Sequence, residues 1–300
     1  MECLDGKAVS LQIREGIARR IEAFTQKGGR KPHLVMVLVG EQAASLAYIK
    51  AKMRACEEVG FDSTVIRKPA ATSEAELLAL VAELNRDAAI DGFIVQLPLP
   101  EHVDPVKVIQ AIDPRKDVDG FHPTNLGKLA LEMDTFIPAT PYGILELIKH
   151  YAIPTVGKRV VVLGRSPIVG KPISILMSRK AYPGNATVTL CHSQTRDTAA
   201  LTRQADLIIA ALGVPGFLTV DHVKAGCAVI DVGINRVADP SVKQGYRLVG
   251  DVDFESVHQK AAYLTPVPGG VGPMTVSMLL KNTLQAYEWN GARTGDSSLR

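Results

Sequence analysis

The stretch Arg159-Val-Val-Val-Leu-Gly164-Arg-Ser-Pro-Ile-Val-Gly170-Lys-Pro172 decides how this chain folds. Val160 to Leu163 are apolar and run straight into Gly164, and Gly170 precedes Lys171-Pro172 and the apolar series Ile173, Ile175, Leu176 and Met177. The pattern reads as buried strand, tight turn, helix. Such a turn aims backbone N–H groups and the positive end of a helix dipole at one point, where a pyrophosphate would sit. The spacing is G-x-S-x-x-x-G, not the G-x-G-x-x-G of the standard dinucleotide fingerprint, so the turn by itself fits either a nucleotide loop or an ordinary βα connection. Its surroundings favour the first. Thr187 to Leu190, Leu207 to Ala211 and Ala228 to Val232 read as further strands in βα order, each followed by a polar or glycine-rich turn. In NAD-binding forms an acidic residue closes the second strand, about 20 residues past the glycines, and bonds the ribose hydroxyls. Here that strand ends Leu190-Cys191-His192-Ser193-Gln194-Thr195-Arg196, and no acid appears until Asp197. A carboxylate would repel a 2′-phosphate, whereas Ser193, Thr195 and Arg165 would accept one, so the loop favours NADP over NAD. An exposed turn residue is the competing reading of Arg165.

Upstream, the chain alternates β-α-β-α-β. Val9 to Phe24 carries apolar residues at helical spacing, and His33 to Val39 is an apolar run closed by Gly40, as in a strand buried on both faces. Between Gln42 and Val59 the spacing predicts a helix whose apolar stripe is Leu46, Ile49, Met53 and Cys56. Ser45, Tyr48 and Lys52 form a second, polar stripe that borders the core without entering it. Y-x-x-x-K puts phenol and ammonium on neighbouring turns, where they line a cleft or lie on a solvated flank. Thr64 to Arg67 fits a strand, Ser73 to Asn85 a helix with a Ser73/Glu76 capping box, and Ile90 to Val95 another strand. Gln96 then stands at a strand's carboxyl end, where open α/β sheets bind ligands, before Leu97-Pro98-Leu99-Pro100. Asp117 and Asp119 lie in a turn-rich loop. They are solvated, or they hold a metal, which would need more oxygen ligands than the neighbourhood offers. Thr140-Pro-Tyr-Gly143 opens a helix, and Thr265-Pro-Val-Pro268-Gly-Gly270-Val-Gly272-Pro-Met-Thr275 makes a loop whose backbone can approach a ligand, leading into a helix from Val276 to Tyr287.

Composition narrows the class. A chain of 300 residues with 46% hydrophobic content can bury two cores, and a net charge of +3 without a long Lys/Arg run argues against nucleic acid. Cys3, Cys56, Cys191 and Cys227 are far apart, so neither a disulfide scaffold nor a structural zinc site is expected. No apolar run approaches the ~18 residues of a membrane span and the N-terminus does not read as a signal peptide, which makes the cytoplasm the expected location.

Five stretches together resemble one family, the bifunctional methylenetetrahydrofolate dehydrogenase/cyclohydrolases. They are Tyr48-Ile-Lys-Ala-Lys52, Val95-Gln-Leu-Pro98, Lys116-Asp-Val-Asp-Gly120, Gly164 to Pro172 and Pro266 to Thr275, in the family's order. The resemblance runs from about Asp5 to Tyr287, and Ala139 stands where many members have cysteine. It implies an α/β fold of two domains with a folate cleft between them. Residues 1–137 would form the folate-binding catalytic domain, completed by a C-terminal helix at 273–288, and 138–272 a Rossmann-like NADP-binding domain. The tail at 290–300, rich in Gly and Ser, reads by composition as disordered. The resemblance implies Lys52 as catalytic base, Gln96 as its orienting partner, Tyr48 as the aromatic packing on folate, and Asp119 as acceptor for the pterin N–H donors. Val95, Leu97, Pro268, Gly269, Gly270, Val271 and Thr275 would complete the folate site. Gly164, Arg165, Ser166, Ser193 and Ile234 would hold NADP. Tetrahydrofolate one-carbon derivatives are the implied substrates and a homodimer the implied assembly; from the residues themselves no metal is expected.

Overall fold

The computed structural model describes residues 1–242 and 245–294. In chain order its elements begin with β1 (Glu2–Cys3), α1 (Gly6–Gln26), β2 (His33–Val39), α2 (Ala43–Val59), β3 (Asp62–Lys68), α3 (Glu74–Arg86) and β4 (Gly92–Val95). Helices α4 (Pro105–Ala111), α5 (Pro123–Ala130) and α6 (Ala139–His150) follow. Then come β5 (Arg159–Leu163), α7 (Gly170–Ser178), β6 (Thr187–Cys191), α8 (Thr198–Thr202), β7 (Leu207–Ala210) and β8 (Ala228–Asp231). The chain closes with β9 (Asn235–Ala238), β10 (Tyr246–Val249), α9 (Phe254–Val257), β11 (Tyr263–Leu264) and α10 (Val271–Thr294).

The chain divides into two compact units. One comprises Leu11–Ala139 and the chain from Val276 onward. Its parallel sheet has the order β3-β2-β4. The two-residue period of β2 explains why its sequence is apolar throughout. Leu34, Met36 and Leu38 enter one core with Ile17, Ile49, Cys56 and Tyr287. Val35, Val37 and Val39 enter another with Leu77, Val81 and Phe93. Each such side chain contributes roughly 1.5–3 kcal/mol by leaving water. The capping box of α3 forms as the spacing predicts, with the Ser73 hydroxyl accepting from the Glu76 N–H and the Glu76 carboxylate accepting from the Ser73 N–H.

The other unit comprises Met1–Ser10 and Thr140–Thr275. Its six-stranded sheet has the order β1-β11-β8-β7-β5-β6, parallel at every pairing. The chain steps outward from β5 to β6 and then back to β7, so β5 and β7 flank the switch point at which doubly wound sheets bind ligands. Among the elements not read from the sequence are the antiparallel ribbon of β9 and β10, and β1, which pairs with β11 and so puts the first ten residues with this unit. Helix α10 is longer at both ends than the expected 273–288. Of the tail expected at 290–300, positions up to Thr294 are its last turns and 295–300 lie outside the described residues.

Candidate active site

Helix α2 turns Ser45, Ile49, Lys52, Cys56 and Val59 inward, a spacing of alternating four and three residues. This corrects the expected stripe. Met53 is 40% exposed while Lys52 is only 9% exposed, and Ser45 is buried as well; Tyr48 alone of the polar stripe stays outside. A lysine enters because its ammonium has a partner: Lys52 Nζ donates to Gln96 Oε1 at 3.0 Å.

Gln96 is itself held at the carboxyl end of β4. Its backbone N–H donates to the Val37 carbonyl at 2.9 Å and its side-chain amide donates to the Leu97 carbonyl at 2.8 Å. The amide oxygen is thereby turned to Lys52. Val95 and Leu97 flank Gln96 differently: the Val95 side chain belongs to the core with Val37 and Phe93, and Leu97 is half-buried. Beside β4 the segment around Asp117 extends the sheet through a parallel bridge to Phe93, whose N–H donates to the Lys116 carbonyl at 3.0 Å. Asp119, two residues on, therefore lies at the same carboxyl edge as Gln96.

The Asp119 turn is fixed from below. Asp117 is buried and its carboxylate accepts from the His122 N–H at 2.7 Å and from Asn125 Nδ2 at 2.9 Å, donors that a metal at this position would have to displace. Asn282 of α10 donates to the carbonyls of Val118 and Ile137 at 2.8 and 2.9 Å. Gly120 has φ +74°, and a Cβ there would press on the Ile137-Pro138 backbone, so only glycine fits. Asp119 itself accepts no hydrogen bond among the described residues and is half-buried. Burial pushes its carboxyl above the usual range, with Lys52 pulling the other way. Burial likewise pushes the Lys52 amine below the usual lysine range, opposed by Asp119 and Cys56. The three side chains make an amine that gives up its proton more readily than an ordinary lysine, an amide that aims it, and a carboxylate with acceptor sites open to paired N–H donors.

At the carboxyl edge of the six-stranded sheet the arrangement is built from backbone. Gly164 has φ +108°, and a Cβ there would overlap the Ala211 carbonyl; a Cβ at Gly170 would overlap the Gly164 carbonyl. The two glycines let the β5–α7 turn close on itself and on the end of β7. Ser166 Oγ accepts from the N–H groups of Val169 and Gly170 at 3.1 and 3.3 Å, which leaves its own proton to donate. Leu163 pairs with Cys191, so Arg165 and Ser193, each two residues further, stand at one edge, both exposed. Arg165 has no ion-pair partner among the described residues. Thr195 is spent locally, its Oγ1 accepting from the His192 N–H at 2.9 Å, and Asp197 caps α8 by accepting from the Ala200 N–H at 3.1 Å. The first acid after β6 is thus committed elsewhere, and the edge presents a guanidinium and a hydroxyl. A tight glycine cradle with a free cation beside it fits a phosphorylated dinucleotide.

In the same unit Ile234 is exposed and lies against Gly272, where a Cβ would meet Ile234 Cδ1 at 3.5 Å. With Pro268, Gly269, Gly270 and Val271 it lines a cavity of about 130 Å3. Pro268 is exposed, Gly269 and Gly270 are buried, the Val271 side chain is buried, and Thr275 Oγ1 lies 3.2 Å from Thr140 Oγ1. Sequence reasoning passed over Asn282, Asp231 and Asp251, the last two signalled only by the acid-glycine strings Asp231-Val-Gly233 and Gly250-Asp-Val-Asp253.

Comparison with known proteins matches residues 4–119 to the tetrahydrofolate dehydrogenase/cyclohydrolase catalytic domain and residues 138–291 to the NAD(P)-binding domain of the same family. The bifunctional protein FolD of Flavobacterium johnsoniae is 58% identical over 293 residues, which is 98% of this chain and 99% of that one. The crystal structure of the FolD dehydrogenase/cyclohydrolase from Campylobacter jejuni superposes with a TM-score of 0.90 at 45% identity, covering 98% of this chain and 99% of that one. The Trypanosoma brucei dehydrogenase-cyclohydrolase, solved with NADP and an inhibitor, gives 0.91 at 40% identity over 98% of each chain. Both halves match the two domains of one family in order, and the buried Lys52–Gln96 pair and the Gly164 cradle fall one in each half; the chain belongs to the tetrahydrofolate dehydrogenase/cyclohydrolase family.

Proposed function

We propose that this chain oxidises 5,10-methylenetetrahydrofolate with NADP to the 5,10-methenyl compound and hydrolyses that compound to 10-formyltetrahydrofolate. Family membership supports the pair of reactions, and the structural observation that carries the second is the buried Lys52 amine, bonded to Gln96 and facing Asp119. NADP supplies the hydride acceptor when bound, and Gly164, Arg165, Ser166, Ser193 and Ile234 are the residues proposed to hold it. In the first reaction the folate nitrogens stabilise the cation left on the one-carbon bridge, so the protein's task is alignment. A positive side chain close by would oppose that cation, and Lys52 is suited to the task because burial favours its neutral form.

In the second reaction water adds to the methenyl carbon and one of its protons passes to the neutral Lys52 Nζ; as the bond from that carbon to N5 breaks, N5 takes up a proton and the remaining hydroxyl proton leaves, so that the formyl group stays on N10 and one proton is released overall. Gln96 holds the amine in line, Asp119 accepts from the pterin's amino and ring N–H groups, and Tyr48, exposed one turn from Lys52, offers a face for the ring to pack on. A single reaction mixture in which NADPH and the methenyl compound are followed separately tests the proposal. Both should form, with the methenyl compound passing through a maximum; no NADPH would contradict it. We also propose a cytoplasmic homodimer, which the family resemblance supports; light scattering of the purified protein tests the dimer.

A further inference from the structure

Two aspartates that take no part in the proposed chemistry sit beside the nucleotide cradle. Asp231 ends β8, Asp251 follows β10, and both are buried. The Asp231 carboxylate accepts from the N–H groups of Gly233, Asp251 and Val252 at 2.9, 2.9 and 3.0 Å. The Asp251 carboxylate accepts from the N–H groups of Leu212 and Gly213 at 2.6 and 2.9 Å and from Asn235 Nδ2 at 2.9 Å. The glycines are reciprocal: a Cβ at Gly233 would overlap the Asp251 carboxylate, and a Cβ at Gly250 would overlap that of Asp231. Burial pushes the Asp231 carboxyl up to about 6 even though three backbone N–H groups favour its ionised form. Five backbone N–H groups and the Asn235 amide end on these two carboxylates, donors that apolar side chains filling the same space would leave unpaired.

What they hold is specific. Leu212 and Gly213 continue the turn after β7, and the preceding carbonyl, that of Ala211, is the group packed against Gly164. Asn235 directly follows Ile234. One carboxylate therefore fixes the wall of the Gly164 cradle with one oxygen and the Ile234 turn with the other, while Asp231 fixes the backbone of Asp251. We infer that Asp251 is the positioning residue of the nucleotide site, setting the β7 turn and the Ile234 turn at the spacing NADP needs. This rests on the proposed binding of NADP at the Gly164 cradle.

The test is separate calorimetric titration of the full chain with NADP and with the methenyl folate. Asp251→Ala should raise the NADP dissociation constant by about 10- to 100-fold, the effect of leaving buried N–H donors unpaired, with folate affinity unchanged. Asn235→Asp, which sets a second carboxylate against Asp251, should weaken NADP binding, and Asn235→Asp with Asp251→Asn, which restores an amide-to-carboxylate bond in the reverse sense, should recover it. Should Asp251→Ala fail to fold, this second pair decides. NADP binding at wild-type strength in Asp251→Ala, parallel loss of both ligands, or a double variant no tighter than Asn235→Asp would each overturn the inference. Wild-type protein that binds no NADP would overturn the proposed function itself, a different result from wild-type binding with an unaffected Asp251→Ala.

Discussion

At the carboxyl edge of the three-stranded sheet, the site consists of side chains: a buried amine, an amide fixed at both ends and a carboxylate that accepts from no donor among the described residues. At the carboxyl edge of the six-stranded sheet it consists of backbone, with two glycines that admit no Cβ and two exposed polar side chains beside them. The difference follows from what each edge is asked to do. A lysine that is to take a proton near neutral pH needs surroundings that disfavour its charge, and burial supplies them. Holding a phosphorylated ligand needs fixed N–H dipoles and a cation that stays charged, which a glycine turn and a solvated arginine provide. Side-chain replacement should therefore damage the first edge chemically and the second mainly in affinity.

The largest effect should come from Lys52→Met, which keeps the stem and removes the base. Methenyl hydrolysis should fall by the ~10² to 10⁴ typical of lost general base catalysis, with dehydrogenase activity partly retained and the methenyl compound accumulating. Equal losses in both reactions would make Lys52 a structural residue. Gly170→Ala attacks the other edge through its backbone. Overpacking of this kind costs about 1–3 kcal/mol, so urea denaturation should show a less stable protein and titration a weaker NADP complex. A variant with wild-type NADP affinity would show that the turn can relax. Asp119→Ala should weaken folate binding by about 1–3 kcal/mol, the cost of an unpaired donor pair, and leave NADP binding near normal. Calorimetry with each ligand separates the two. Smallest is Arg165→Ala, which should raise the Michaelis constant for NADP on the order of tenfold and that for NAD much less, since an exposed cation is screened by solvent. Equal changes with both cofactors would mean that Arg165 does not read the 2′-phosphate.

The same division governs what could be read before the structure was known. The backbone edge was legible because its signals are local: Val160 to Leu163 are apolar, Gly164 and Gly170 bracket the turn, and the missing acid after Leu190 is an absence anyone can see in the string. The side-chain edge was less so. Met53 is more apolar than Lys52, and periodicity therefore turned α2 by part of a turn, placing the lysine at the border of the core when it enters it. The contact with Gln96, 44 residues away, supports that burial, and periodicity within one helix does not contain it. β1 was missed for a similar reason, because two residues carry no pattern and their pairing to Tyr263 and Leu264 is supplied by the far end of the chain. Asp231 falls inside the strand read at Ala228 to Val232 and Asp251 carries no pattern in the sequence, and their reciprocity with Gly250 and Gly233 exists only in three dimensions.

The central claim is that burial makes Lys52 a base, and the pH dependence of methenyl hydrolysis at saturating substrate tests it most directly. The protonated amine is inactive and the neutral amine active, so the rate should rise with pH through the titration of Lys52. Because burial lowers that titration, the rise should lie below the ordinary lysine value of about 10.4. Asp119→Asn removes a charge that favours the ammonium and should move the rise to lower pH still, and Lys52→Met should abolish it. A Lys52→Met protein with the wild-type rate and the wild-type pH profile would contradict the account.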